Sequence, residues 1–257
     1  MTANPSITTT LKKVNDEHAE TCVADTPRST KEPESIWTCC DVNEWLSKSI
    51  PKAVVRAKLS KFRHLVVFKA ISEEYLDSLF PKICANFEPQ TVNYNGGIAQ
   101  VSRWIISCYL EVLPGGVPTT NPHLVLLELC KPLLEACNML FGQWYRQQHC
   151  CKVEVSCTRL MTFVTRYNAS KQGQEALLKH VDGAGKVDGS LVLALPMESE
   201  SPFEGGGLTV WDAGHELHYD TRSGDVVLLD RAVWHQADPI TKGTRWALVI
   251  FYQVEKP

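Results

Sequence analysis

From Lys152 onward the chain is a succession of short apolar runs cut by Gly, Asp and Pro: KVEVSCTRLMTFVTRYN, EALLKHVD, SLVLALP, GLTVWD, DVVLLD and RWALVIFYQV. Runs of this length, rich in β-branched and aromatic residues and bounded by turn formers, read as strands. Several are apolar on both faces, which suits strands packed between a second sheet and covering helices. The expected fold is therefore mainly β with flanking helices, a double-stranded β-helix of jelly-roll, cupin-like form. A chain of 257 residues with 44% hydrophobic content can bury one substantial core of this kind.

Upstream the pattern turns helical. Ser72, then Glu73 and Glu74, then Tyr75, Leu76, Leu79, Phe80 and Ile83 predict an amphipathic helix with a serine N-cap and an acidic first turn, preceded by a strand in HLVVF. A second helix is expected from near Asn121, with Pro122 in its first turn, through LVLLELCKPLLEACNMLFGQWYRQQ. Pro132 predicts a kink or a break into two shorter helices. The apolar stripe should pack on the outside of the sheet rather than form a partner groove. Residues 1–35, rich in Thr, Ser, Lys, Glu and Pro, are expected to be a disordered tail. The domain layout is then that tail and one domain over 36–257, with helical support over 36–150 and the jelly-roll core over 151–257.

Three side chains in the strand-rich part have metal-ligand spacing. His180 and Asp182 stand two apart in LLKHVDG, and residues two apart in an extended strand point to the same face. His235 in RAVWHQADP follows 53 positions later (235 minus 182) and can join them if that stretch folds back on the His180 strand. Two imidazoles and a carboxylate on one side of a metal leave open positions opposite, an arrangement that suits non-haem Fe(II) better than structural zinc. Three open cis positions can take a two-point chelate from a 2-oxo acid and one molecule of O2. Arg245 lies ten residues past His235 (245 minus 235), after the turn DPITKG. It is the candidate to clasp the far carboxylate of 2-oxoglutarate, and a short antiparallel return would carry it on the strand next to His235.

The segment from Phe163 to Phe251 resembles the catalytic domain of the procollagen lysyl hydroxylases and, more loosely, the prolyl 4-hydroxylases, members of the iron(II)/2-oxoglutarate-dependent dioxygenase superfamily. The resemblance rests on the tyrosine of FVTRYNASKQGQEALLKHVD, on Gly205–Gly207 in FEGGGLTVW, and on WHQADPITKGTRWALVIF with its Pro239, Thr241, Gly243, Thr244 and Arg245. It implies His180, Asp182 and His235 as iron ligands, Arg245 as the anchor of the co-substrate carboxylate and Tyr167 as a second donor to it. It also implies O2 as oxidant, L-ascorbate as an accessory reductant, and hydroxylation of a peptidyl lysine or proline with release of succinate and CO2. Two departures bear on the substrate: Pro196 stands where lysyl hydroxylases tend to have asparagine, and the connection after Asp182 is about three residues longer. The large glycosyltransferase-like regions of the collagen enzymes do not fit in 257 residues, which argues against collagen. The same chemistry on a free amino acid or small metabolite remains an alternative, as does a cupin-like module that binds metal or ligand without catalysis. Arg245 separates these, because a binding module has no use for a guanidinium where a dicarboxylate would end.

Other features exclude more than they assign. A net charge of −3 without a Lys/Arg run gives no nucleic-acid footprint, and the arginine-asparagine-threonine pattern of nucleic-acid repair dioxygenases is replaced here by RWALVIF. Without a signal-peptide stretch or an apolar run of membrane-spanning length, an intracellular, cytoplasmic protein without a membrane partner is expected. The ten cysteines are then expected as free, mostly buried thiols. Cys39-Cys40 and the irregular group His149, Cys150, Cys151, Cys157 do not make a zinc pattern. His215 and His218 should be solvated in a rim turn, Trp211, Trp234 and Trp246 core or wall residues, and Gly205–Gly207 a bulge or tight turn. Oligomeric state leaves no trace in the sequence.

Overall fold

The computed structural model describes residues 62–90, 106–112 and 120–255. The expectation of a tail over residues 1–35 and the pair Cys39-Cys40 lie outside them. Within the described residues, twelve strands form antiparallel sheets. A six-stranded sheet runs in the order β1 (His64–Val67), β9 (Val226–Asp230), β5 (Gly189–Ala194), β12 (Thr244–Glu255), β3 (Ser156–Asn168), β2 (Ser107–Glu111). A four-stranded sheet runs β4 (Leu177–His180), β10 (Trp234–Ala237), β7 (Leu208–Asp212), β8 (His215–Tyr219), and β11 (Ile240–Lys242) pairs with β6 (Glu204–Gly205). Two helices, α1 (Glu73–Ala85) and α2 (Leu124–Gln148), accompany the larger sheet. This is a mainly β, double-stranded β-helix fold.

Period-two alternation explains the layers. On β12, Trp246, Leu248, Ile250, Tyr252 and Val254 join Leu191 and Leu193 of β5, Val226 and Leu228 of β9, and Leu133, Leu140, Phe141 and Trp144 of α2 in one core. The intervening residues of the same strands face the other way. Val227 and Leu229 pack with Leu208 and Val210 of the smaller sheet, closing a second core between the sheets. Each fully buried Leu, Ile or Val here contributes roughly 1.5–3 kcal/mol of transfer free energy.

Several expectations need correction. α2 begins at Leu124 with His123 as N-cap, its Nδ1 accepting from the Leu126 N–H, so Pro122 lies before the helix rather than in its first turn. Pro132 does not split it: Pro132 and Glu128, the residue whose carbonyl loses its partner, both face solvent, where water can take the place of the missing N–H. α1 matches its pattern, with Ser72 Oγ accepting from the Tyr75 N–H, although it too runs through a proline, Pro81. β2 was not foreseen, since its short run SCYLE shows no alternation. Arg245 is not on the strand next to His235. β12 lies between β5 and β3 in the larger sheet, while His235 is on β10 in the smaller one. His215 and His218 belong to strand β8, not to a turn; the turn is at Ala213 and Gly214. Trp246 is buried, but Trp234 is 48% exposed. Of the seven described cysteines, all free, Cys108, Cys130 and Cys137 are buried, fewer than expected. No described helix is long and apolar enough to cross a membrane.

Candidate metal centre and co-substrate pocket

β4 and β10 pair antiparallel with His180 opposite His235, and their register slips before Leu177 meets Ala237. Three steps on β4 therefore match two on β10, a bulge that re-aims the end of β4. Val181 stays extended (φ −120°, ψ 148°), and Asp182 opens a single 3-10 turn, Asp182–Gly185, rather than continuing the strand. Extended geometry at Val181 alone is enough to bring His180 and Asp182 to one side.

One donor atom from each of His180, Asp182 and His235 lies within 4.8 Å of the others, the one such cluster among the described residues. His180 Nε2 is 3.4 Å from Asp182 Oδ1, His235 Nε2 is 3.5 Å from Asp182 Oδ2, and the two imidazole centres are 4.3 Å apart. Cis donors bonded to one ion at about 2.1 Å stand about 3 Å apart, so a small inward movement suffices to close around a metal. Tautomers also fit. His180 Nδ1 is 2.7 Å from the Leu178 carbonyl and His235 Nδ1 is 3.1 Å from the Val233 carbonyl. A carbonyl can only accept, so each Nδ1 carries a proton, and each Nε2, turned toward Asp182, is the nitrogen left to bind a metal once it is unprotonated.

The charges are matched to this task. Burial penalises the Asp182 carboxylate, but the two imidazoles and the Ser190 hydroxyl outweigh it and hold the carboxyl below its usual range. Burial also pulls His180 down, yet the adjacent Asp182 carboxylate overrides it and sets this imidazole above its ordinary value. For His235 desolvation prevails over the pull of Asp182, and its value is lowered. The donor set of two neutral nitrogens and one carboxylate is one that suits iron(II).

Arg245 lies on the barrel face of β12, directly opposite Tyr167 on β3. It is 3% exposed, and among the described residues no carboxylate comes within ion-pair distance of it. Its Nη1 donates to the Gly207 carbonyl (2.7 Å) and Nη2 to Thr221 Oγ1 (3.2 Å), while buried Nε has no partner. Desolvation lowers its pKa from the usual arginine value. Asp238 and Asp220 offset this burial only from beyond ion-pair distance, and burying a guanidinium without a close counter-charge costs several kcal/mol, which an anionic ligand at the site would relieve. Both Arg245 and Asp182 act on the Tyr167 phenol, but burial dominates and pushes it up to about 12, so it is a neutral donor. Ile106, Phe203, Ala237 and Ile240 pack around Tyr167 as an apolar wall. The triplet Gly205–Gly207 has φ of +75°, +77° and +113°, backbone that only glycine adopts readily, and its last carbonyl accepts from Arg245.

Two side chains at the site were not anticipated. Ser190 shows a sequence signal in retrospect: it is the polar residue at an inward position of SLVLA, eight residues past Asp182. Thr221 shows none, because it lies in an aperiodic stretch between β8 and β9. His149, Cys150, Cys151 and Cys157, which make no zinc pattern in the sequence, are not among the side chains grouped at metal-ligating distance in the described residues. His149 stacks on Tyr145 and pairs with Asp230 at 3.3 Å. His218 is exposed and is held by Asp238 at 2.9 Å.

Residues 162–253 match a family model described as the 2OG-Fe(II) oxygenase superfamily. A search of curated protein sequences returns no match. Among solved structures, the chain is similar to an oxidoreductase of the 2OG-Fe(II) oxygenase family from Burkholderia pseudomallei (15% identity, 78% of this chain and 87% of that one, TM-score 0.52). It is similar to a Pseudomonas putida prolyl-4-hydroxylase (18% identity, 78% and 98%, TM-score 0.52). It is also similar to SnoN, a non-heme α-ketoglutarate-dependent epimerase from nogalamycin biosynthesis (12% identity, 79% and 83%, TM-score 0.51). At these identities the structures establish the shared fold.

Proposed function

We propose, from the match of residues 162–253 to the 2OG-Fe(II) oxygenase superfamily model, that the chain acts as a 2-oxoglutarate-dependent dioxygenase and hydroxylates a C–H bond of a peptidyl side chain of lysyl or prolyl type. In this reading His180, Asp182 and His235 hold Fe(II), Arg245 grips the distal carboxylate of 2-oxoglutarate, and the Tyr167 hydroxyl donates to the same co-substrate. Bound there, the iron supplies activation of O2 coupled to decarboxylation of 2-oxoglutarate to succinate and CO2. The protein's own part is positional. The Nδ1–H bonds to Leu178 and Val233 lock both imidazoles in the ligating tautomer, and Ile106, Phe203 and Ile240 exclude water from the co-substrate pocket.

The observation that carries this reading is the buried, carboxylate-free guanidinium of Arg245, with an orphan Nε, in the same barrel interior as the His180, Asp182, His235 cluster. A non-catalytic metal module gives no reason to hold a cation at such cost. The peptidyl substrate is supported by the resemblance of the Phe163 to Phe251 segment to the lysyl hydroxylases. Succinate release from 2-oxoglutarate, measured with lysyl and prolyl peptides beside free amino acids and small metabolites, tests it. The expected result is coupled succinate release with a peptide that gains the mass of one oxygen atom. Coupling to a small molecule alone refutes the peptidyl assignment.

A further inference from the structure

β5 crosses the larger sheet between β9 and β12, and Ser190 is the polar side chain of this strand. Its backbone is fixed from both sides, opposite Leu229 on β9 and Phe251 on β12. The strand is seated tightly at this point: a Cβ on the preceding Gly189 would lie 2.7 Å from the Leu229 carbonyl oxygen and 2.8 Å from the Phe141 ring. Ser190 is 2% exposed and points into the barrel with Val192 and Ala194, away from the helix-facing Leu191 and Leu193. Its Oγ donates to Asp182 Oδ2 at 2.6 Å.

Asp182 is held differently. It stands on the 3-10 turn that links β4 of one sheet to β5 of the other, followed by Gly183 at φ +61°. Apart from the two imidazoles, its carboxylate contacts Ser190 alone among the described polar side chains. A carboxylate turns readily about its last single bond, and without a third contact the ligand oxygen would be free to swing away from the imidazoles.

We propose that Ser190 is a positioning residue of the metal centre: its hydroxyl, anchored in the larger sheet, sets the rotation of the Asp182 carboxylate so that the two nitrogens and one oxygen are arranged before the metal binds. The inference rests on the assignment of His180, Asp182 and His235 as ligands. Partners of ligands act in this way elsewhere, and their loss costs roughly 10–100-fold in metal affinity.

The test uses Mn(II) alone, titrated into the metal-stripped full chain while the EPR signal of the free ion is followed. Ser190→Ala is expected to weaken binding roughly 10–100-fold, and Ser190→Cys, similar in size but a poor donor, to fall between it and the parent. Thermal melting of the metal-free proteins separates positioning from packing. A lower melting temperature with parent-like Mn(II) affinity overturns the proposal, as does equal affinity in all three proteins. If Ser190→Ala does not fold, Ser190→Cys decides by the same criterion. His235→Ala keeps the two assignments apart: Mn(II) binding equal in parent and His235→Ala overturns the ligand assignment itself, and the role of Ser190 with it. Loss in His235→Ala with no change in the Ser190 variants overturns the role of Ser190 alone.

Discussion

Arg245 and Tyr167 face each other across the β12–β3 pair, the guanidinium carbon 5.8 Å from the centre of the phenol ring. Both are buried. A dicarboxylate end group placed here would meet a fixed cation and a neutral O–H donor together. Tyr167→Phe removes the donor and keeps the ring that packs against Ile106 and Phe203. Loss of one hydrogen bond to a charged group is worth about 1.5–3 kcal/mol, so the KM for 2-oxoglutarate should rise roughly 10–100-fold. Melting temperature should stay near that of the parent, which a paired thermal scan checks.

Gly207 holds the other side of the guanidinium through its carbonyl. Its φ of +113° is strained for any other residue, and an added Cβ would lie 2.7 Å from the Tyr219 carbonyl oxygen. Gly207→Ala should destabilise the fold by about 1–3 kcal/mol and weaken 2-oxoglutarate binding, while Mn(II) affinity is kept. Denaturant unfolding and separate titrations of the two ligands distinguish these effects.

Metal affinity should depend on pH through one imidazole. His180 is raised above its ordinary value, so as pH falls it is the first of the three donors to take up a proton that an ion must displace. His235 is lowered and Asp182 is lowered, so both are already in their ligating forms. Mn(II) affinity should therefore fall by about tenfold per pH unit below the His180 value and flatten above it, with proton release rising toward one per ion on the acid side. Titration in two buffers of different ionisation enthalpy measures that number, and release of two protons contradicts this account of His235.

What could be read from the sequence follows from locality. The six strand runs between Lys152 and Val254 appear as strands because alternation and bounding turn residues are local signals. The His180 and Asp182 pairing was legible because one extended residue, Val181, suffices to align them. Placing Arg245 beside His235 failed for a non-local reason. The chain from β10 does not return directly but passes through β11, which pairs with β6, so β12 enters the opposite sheet. Thr221 and the Gly207 carbonyl were illegible because contacts to a buried guanidinium depend on tertiary packing. Pro132 misled because a proline weighs differently on the solvent face of a helix already held by Leu133, Leu140 and Phe141.

The most direct test of the central claim is anaerobic addition of Fe(II) and 2-oxoglutarate to the metal-stripped protein, read in the visible spectrum. A weak charge-transfer band should appear in the parent, vanish in His180→Ala and His235→Ala, and be lost in Arg245→Ala at co-substrate concentrations that saturate the parent. A band that persists unaltered in Arg245→Ala, or in either histidine variant, contradicts the account.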